Sequence, residues 1–299
     1  MKPNVIAIAT DAGFFPPAAF LATRLAALNP RDDTDIVLFS DSFGKLVEAQ
    51  RAGVPADLRH VQAPPLPRSL RISGATFFRI LIPDTLPAEV RRILYLDVDV
   101  YPEDDRLFRL FDLDMKGLSI AAVRDAFISF AQTKAAEKER GMAGVARYLN
   151  AGVLLVDRDR YIADDLATKI MMNAGRRKLH DQAAINSTLD GAWLDLSPAM
   201  NVTPYVRNSG IVEAAHPAIN HFMGAAKPWN MPSFAEYHRV SVAELAAYLK
   251  TSPWPDFVDR QTKLPEAAHP RHLIMPAAKT DHEAFRSYLK DTAFADLTA

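Results

Sequence analysis

The chain has 299 residues, 49% hydrophobic and 24% charged, which excludes a disordered, collagen-like or coiled-coil protein. Its 35 basic and 36 acidic side chains leave a formal charge of −1, so the total offers nothing to a nucleic acid. With no cysteine there is no disulfide, thiolate metal site or cysteine nucleophile, and any metal must be held by carboxylates and imidazoles.

The apolar run that begins at Val5 is too short for a signal-peptide core, and no window approaches the ~18 to 20 apolar residues of a membrane span. The expectation is a cytosolic protein, with peripheral membrane contact left open. Val5 to Ala9 predicts the first strand, and Pro16-Pro17 opens a helix through Leu28. A strand over Asp35 to Ser40, a helix over Phe43 to Arg51 and a strand near Leu58 to Gln62 complete a βα rhythm over a mostly parallel sheet. After Pro64 to Pro67, a helical stretch from Ser73 to Leu81 leads into Val90 to Val100, a buried strand ending in Asp97-Val98-Asp99.

Further on, Ser119 to Val123 and Asn150 to Val156 predict strands, and Ala163 to Asn173 and Gln182 to Leu189 predict helices. No repeat recurs at a fixed period. Prolines at 253, 255, 265, 270 and 276 forbid a long helix or central strand between Pro253 and Lys279. Ser241-Val-Ala-Glu244 and Thr280-Asp-His-Glu283 fit capping boxes, so two helices should bracket that arm. The expected organisation is one α/β domain, residues 1–230, with a helical and irregular extension over 231–299.

The strand ending in two acids carries the most chemistry. Side chains at i and i+2 of an extended chain point the same way, so Asp97 and Asp99 can aim both carboxylates at one cation beyond the carboxyl edge of the sheet. The alternative is a strand turning into a solvated loop, since Pro102-Glu-Asp-Asp105 is also acidic. The segment His221-Phe-Met-Gly224-Ala-Ala-Lys227-Pro-Trp229 adds an imidazole, and a mixed oxygen and nitrogen set suits Mn²⁺ better than Mg²⁺. Gly224 permits close backbone approach, and Lys227 is a point charge suited to phosphate.

The chain resembles the retaining glycosyltransferases of family 8. The resemblance rests on Ala9-Thr-Asp11, Ser73 to Pro83 with Arg79, Ile93-Leu-Tyr-Leu-Asp97-Val-Asp99, Tyr148-Leu-Asn150-Ala-Gly152, Asp181-Gln182 and the histidine-lysine segment. These span Ala9 to Trp229. The resemblance implies a GT-A fold with a mixed, mostly parallel central sheet flanked by helices. It implies transfer of a hexose, galactose or glucose, from a UDP-sugar to a hydroxyl of a glycan, lipid-linked or small-molecule acceptor, with retention. It assigns the metal, Mn²⁺ or Mg²⁺, to Asp97, Asp99 and His221. Donor contacts fall to Ala9, Asp11, Arg79, Asp97, Asn150, Asp181, Gln182, Gly224 and Lys227, with Gln182 and Asp181 nearest the reacting carbon.

Gln182 is a poor nucleophile, which favours front-side attack and leaves Asp181 as the alternative nucleophile. Family members read Asp-x-Asn-Tyr after the first strand, whereas this chain reads Asp11-Ala-Gly-Phe14, leaving Phe14 or Phe15 to pack on the base. Two other readings share these residues. A haloacid-dehalogenase-like phosphohydrolase also uses Asp-x-Asp after a strand, but normally the first one, and has no use for His221 to Trp229. A non-catalytic sugar-nucleotide-binding protein would keep the ligands and lose turnover. The acceptor loops are expected at Ala126 to Ala146 and Tyr205 to Ala215, and the remaining histidines, His180 and His238 among them, are expected to pack or face solvent.

Overall fold

A computed structural model describes residues 1–62, 64, 74–208, 217–224, 226–230, 238–263 and 281–291. Ser73, positions 209–215, Thr280, His216, His269, His272 and most of the proline-rich arm lie outside them. The chain opens with β1 (Asn4–Thr10), α1 (Phe15–Leu28), β2 (Thr34–Ser40), α2 (Phe43–Arg51) and β3 (Asp57–His60), each within two residues of its expected limits. Pro16 and Pro17 sit in the first turn of α1, where the missing N–H groups would have had no helical partner. A 3-10 turn at Gly74–Phe77 runs into α3 (Phe78–Thr85), followed by β4 (Arg92–Leu96).

The sheet has seven strands in the order β3-β2-β1-β4-β7-β6-β8, with β6 at Ile120–Arg124, β7 at Leu149–Asp157 and β8 at Leu194–Asp195. All neighbours are parallel except β7, which is antiparallel to both β4 and β6. Alternate residues of β1 and β4 feed two apolar layers. Ile6, Ile8, Leu94 and Leu96 pack beneath α1, and Val5, Ala7, Ile93 and Tyr95 pack beneath α3 and α7 (Leu166–Arg177). Helices cover both faces, which is why these strands read as continuous apolar runs.

Several expectations shift. The strand expected from Val90 to Val100 ends at Leu96. Asp97 to Val100 form a turn closed by the Val100 N–H on the Asp97 carbonyl (3.3 Å), after which β5 (Val100–Pro102) starts a separate two-stranded sheet. The helix expected from Ala163 begins at Leu166, because Asp165 takes a left-handed φ of +51° and separates it from α6 (Arg158–Ala163). The stretch after Asp125, expected as a loop, holds α4 (Ala126–Phe130) and α5 (Lys134–Ala143), capped by the Asp125 and Thr133 side chains.

The capping box expected at Ser241 and Glu244 does not form. His238 caps the helix Arg239–Thr251, its Nδ1 accepting from the Ser241 N–H at 3.2 Å, so Ser241 sits inside the first turn. Glu244 reaches away to Arg24 and to the Tyr101 hydroxyl. Thr280 of the other expected capping box lies outside the described residues; Asp281 accepts from Ala284 N–H at the start of the helix His282–Asp291. Leu245, Leu249, Trp254 and Phe257 share one apolar cluster with Phe15 and Leu21 of α1. Phe15 meets Trp254 edge-on at 5.5 Å, a pairing worth about 1 kcal/mol beyond its buried area.

Candidate functional site

The reversed direction of β7 decides what gathers at the sheet edge. β4 and β6 end there with their carboxyl termini, delivering Asp97 and Asp125, while β7 begins there and delivers Asn150, Ala151 and Gly152. The Asp97 N–H bonds the Gly152 carbonyl at 2.9 Å, so the two strand ends are locked together. β5 pairs with β9 (Ile219–His221), setting Val100 opposite His221. Backbone bonds from His221 N–H to Val202 (3.0 Å) and from Phe222 N–H to Asp99 (2.8 Å) hold the imidazole beside the acidic turn.

Asp97, Asp99 and His221 therefore each offer one ligand atom, all within 4.8 Å of one another. His221 Nε2 lies 3.3 Å from Asp99 Oδ1 and 4.0 Å from Asp97 Oδ2. It is the turn, not strand alternation, that brings the two carboxylates together. Two carboxylates and an imidazole suit a divalent cation of the Mn²⁺ type. Gly152 fits that reading: a Cβ there would stand 2.2 Å from His221 Cε1 and 3.0 Å from Asp97 Oδ2, so the strand passes the cluster only because it carries no side chain.

Burial pushes the Asp97 carboxyl up, against the pull of Arg79. Burial works the same way on Asp99, yet Lys227 and His221 outweigh it and hold that carboxyl far below the ordinary carboxylate range. Lys227 bonds the Asp99 carboxylate and the Phe222 carbonyl (2.8 Å). Arg79 gives Nη2 to Asp97 Oδ1 (2.7 Å), Nη1 to the Ala151 carbonyl (2.6 Å) and Nε to the Thr76 carbonyl (2.9 Å), with Asp181 Oδ2 at 3.2 Å.

A cavity of about 220 Å³ opens over this cluster. Of the expected residues, Ala9, Asp11, Arg79, Asp97, Asp99 and Lys227 line it, together with Phe14, Tyr95 and Trp229. Phe14 is 40% exposed and its ring lies 6.0 Å from Trp229, whereas Phe15 is sealed in the core and is unavailable to a base. Asp11 Oδ1 accepts the N–H groups of Gly13 (2.9 Å) and Phe14 (3.2 Å), shaping the loop that bears the ring. Gly224 takes a left-handed φ of +92° between His221 and Lys227.

Asn150, Asp181 and Gln182 do not line the cavity but bond to the strands and side chains around it. Asn186 grips both backbone groups of Leu149 (2.7 and 3.0 Å), which docks α8 (Asp181–Leu189) on the start of β7. Gln182 Oε1 accepts from Ala151 N–H (3.0 Å), and its Nε2 gives to Asp125 Oδ2 (3.2 Å). Sequence reasoning missed Asp125 and Asn201. Asp125 follows a strand just as Asp97 does and was open to the same edge argument, while nothing in the spacing around Asn201 marks it.

His180 and His238 are not bystanders. In the neutral ring His180 Nδ1 accepts from Ala183 N–H at the start of α8, and in either protonation state Nε2–H gives to Glu139 Oε1 (2.6 Å), where the Tyr148 hydroxyl also donates (2.6 Å). Glu139 raises the His180 pKa above 6.5 against the opposing effect of burial. For Glu139 burial acts upward, but His180 and Tyr148 bring it below 4.5. The imidazolium contribution is full below 6.5 and fades as pH rises through the raised value; the carboxylate contribution is full above 4.5 and fades as pH falls. Glu139→Gln should therefore lower the melting temperature most between pH 4.5 and 6.5 and progressively less above, as read by thermal denaturation across pH.

No described helix is long and apolar enough to cross a membrane. The family model for glycosyl transferase family 8 matches residues 5–232. General stress protein A of Bacillus subtilis (strain 168) is 29% identical over 181 residues, 54% of this chain and 61% of that protein. Lipopolysaccharide 1,2-glucosyltransferase of Escherichia coli (strain K12) is 29% identical over 205 residues, 64% of this chain and 58% of that protein. The chain thus spans about three-fifths of the length of these relatives. Among solved structures, the galactosyltransferase LgtC, crystallised with donor and acceptor sugar analogues, superposes with a TM-score of 0.67 at 20% identity, covering 90% of this chain and 99% of that one. The architecture is the mixed, mostly parallel α/β fold of the GT-A glycosyltransferases. With a family match running through nearly the whole described core, this chain belongs to glycosyl transferase family 8.

Proposed function

We propose that the protein is a metal-dependent retaining hexosyltransferase, moving glucose or galactose from a UDP-sugar to a hydroxyl of a glycan or lipopolysaccharide acceptor. The observation that carries this reading is the convergence of Asp97, Asp99 and His221 beneath a cavity that Lys227 also lines. Bound there, Mn²⁺ would supply Lewis-acid stabilisation of the diphosphate leaving group. Lys227, drawn from Asp99 toward the phosphates, adds a second positive charge as the glycosidic C–O bond breaks. Arg79 orients Asp97 and Asp181 at once, so the ribose side and the sugar side of the donor are held by one guanidinium. Phe14 offers its exposed ring to the base.

Both ends of the Gln182 amide are already bonded within the protein, and Asp181 is paired with Arg79. Both features disfavour an attacking side chain and favour front-side attack. The acceptor oxygen then bonds the anomeric carbon on the face that the diphosphate leaves, and the acceptor's proton passes to the departing phosphate oxygen.

A panel of nucleotide-sugars incubated with Mn²⁺ or EDTA, scored for free nucleotide, tests this. Release should be largest with a UDP-hexose and vanish in EDTA. Asp99→Ala and His221→Ala should each lower it about a hundred- to thousandfold. Wild-type Mn²⁺-dependent release in both variants would overturn the three-ligand site, and stoichiometric UDP binding without turnover would point to a binding protein.

A further inference from the structure

We infer that Asn201 is a positioning residue that sets the tautomer and orientation of His221, and that it does so because the backbone N–H of Gly152 dictates the direction of a buried side-chain relay. Gly152 N–H gives its hydrogen to Asn150 Oδ1 at 3.0 Å. A backbone N–H can only donate, so this contact fixes which end of the Asn150 amide is the oxygen. The same oxygen receives Asn201 Nδ2 at 2.9 Å, which turns Asn201 Oδ1 toward His221 Nδ1, also at 2.9 Å.

An amide oxygen only accepts, so Nδ1 of His221 must carry the hydrogen. In the neutral ring, the form that ligates a metal, this leaves the lone pair on Nε2, the nitrogen nearer the carboxylates of Asp99 and Asp97. Asn150, Asn201 and His221 are all at least 96% buried, so no solvent competes for these bonds. The other end of Asn150 agrees in direction: its Nδ2 gives to Asp125 Oδ2 at 3.1 Å, the atom that also receives Gln182. The Gln182 amide is itself oriented by a backbone donor, Ala151 N–H. Two adjacent N–H groups of β7 thus set the polarity of the relay from both sides.

The functional consequence rests on reading Asp97, Asp99 and His221 as metal ligands; the tautomer itself does not. Long-range proton–nitrogen correlation spectra of ¹⁵N-labelled, metal-free protein should show a hydrogen on His221 Nδ1, the nitrogen that faces Asn201 Oδ1. In Asn201→Leu, which keeps the branching of the side chain and removes the acceptor, the hydrogen-bonded shift of His221 Nδ1 should be lost. Mn²⁺ affinity by titration calorimetry should weaken about 10- to 100-fold. Asn201→Asp returns an acceptor to Nδ1 but sets its second oxygen against Asn150 Oδ1, so it should restore the Nδ1–H and only part of the affinity.

A wild-type His221 with no hydrogen on Nδ1 overturns the inference without any variant, so a misfolded Asn201→Leu protein leaves it testable. An unchanged Nδ1 shift and unchanged Mn²⁺ affinity in Asn201→Leu overturn it equally. Absence of Mn²⁺ binding in a wild-type protein that shows the Nδ1–H tautomer would instead overturn the metal reading and leave the relay standing.

Discussion

Gly152→Ala should yield a folded protein that has lost at least about a hundredfold in both Mn²⁺ affinity and nucleotide release. The added methyl would stand 2.2 Å from His221 Cε1 and 2.9 Å from its Nδ1. The ring has nowhere to go, being 4% exposed, bonded to Asn201 through Nδ1 and held by its own N–H on Val202. A displacement of about 1 Å at a ligand is enough to cost two orders of magnitude in rate. Gly175→Ala is the matching control. It lies in α7 with open space where its Cβ would sit, and the change should leave turnover intact while adding up to about 1 kcal/mol of helix stability. Calorimetric titration with Mn²⁺ and a nucleotide-release assay on both variants give the comparison. Equal Mn²⁺ affinity in Gly152→Ala and wild type would show that His221 does not hold the metal.

Arg79→Ala should be the most destabilising single change at the site. The guanidinium satisfies Asp97, Asp181 and two backbone carbonyls, and stacks 4.9 Å from the Tyr95 ring. Removing it strands two poorly hydrated carboxylates, which elsewhere costs 3 to 5 kcal/mol. Asp97 keeps some solvent contact, so about 3 kcal/mol is expected, or roughly 6 to 12 °C in melting temperature. Arg79→Lys separates charge from geometry. An ammonium supplies the cation but not the planar fork that reaches Asp97 and Asp181 together, so stability should recover in part while turnover stays low. Thermal melts and turnover of the two variants decide the matter, and full activity in Arg79→Lys would show that only the charge counts.

The first half of the fold was readable because each element there is stabilised by its own pattern: apolar strands buried on both faces, prolines at the start of α1, a short amphipathic α2. Predictions slipped where a local signal was outbid by a tertiary one. The capping box at Ser241 and Glu244 is a legitimate local arrangement, yet Glu244 finds Arg24 and Tyr101 across the interface and His238 takes over the cap. The loop after Asp125 became two helices because Phe130 and its neighbours gain a partner, Phe285, from the far end of the chain at a ring distance of 5.1 Å. Phe15, an equal candidate with Phe14 for the base, was drawn into the core by Trp254.

By itself the amino-acid sequence limited any metal site to oxygen and nitrogen ligands, because it has no cysteine, and its resemblance to family 8 singled out Asp97, Asp99 and His221 among its acids and histidines. It also determined the βα rhythm, since burial on two faces writes itself as apolar runs. Only the tertiary structure decided the direction of β7, a property of pairing between distant strands that leaves no local trace. That reversal puts Gly152 against His221 and the N–H groups of Ala151 and Gly152 within reach of Gln182 and Asn150. Proton positions in the relay follow from those two backbone donors, so residues 201 and 221, twenty apart in the chain, acquire their relation only once a strand 50 residues before Asn201 runs the other way.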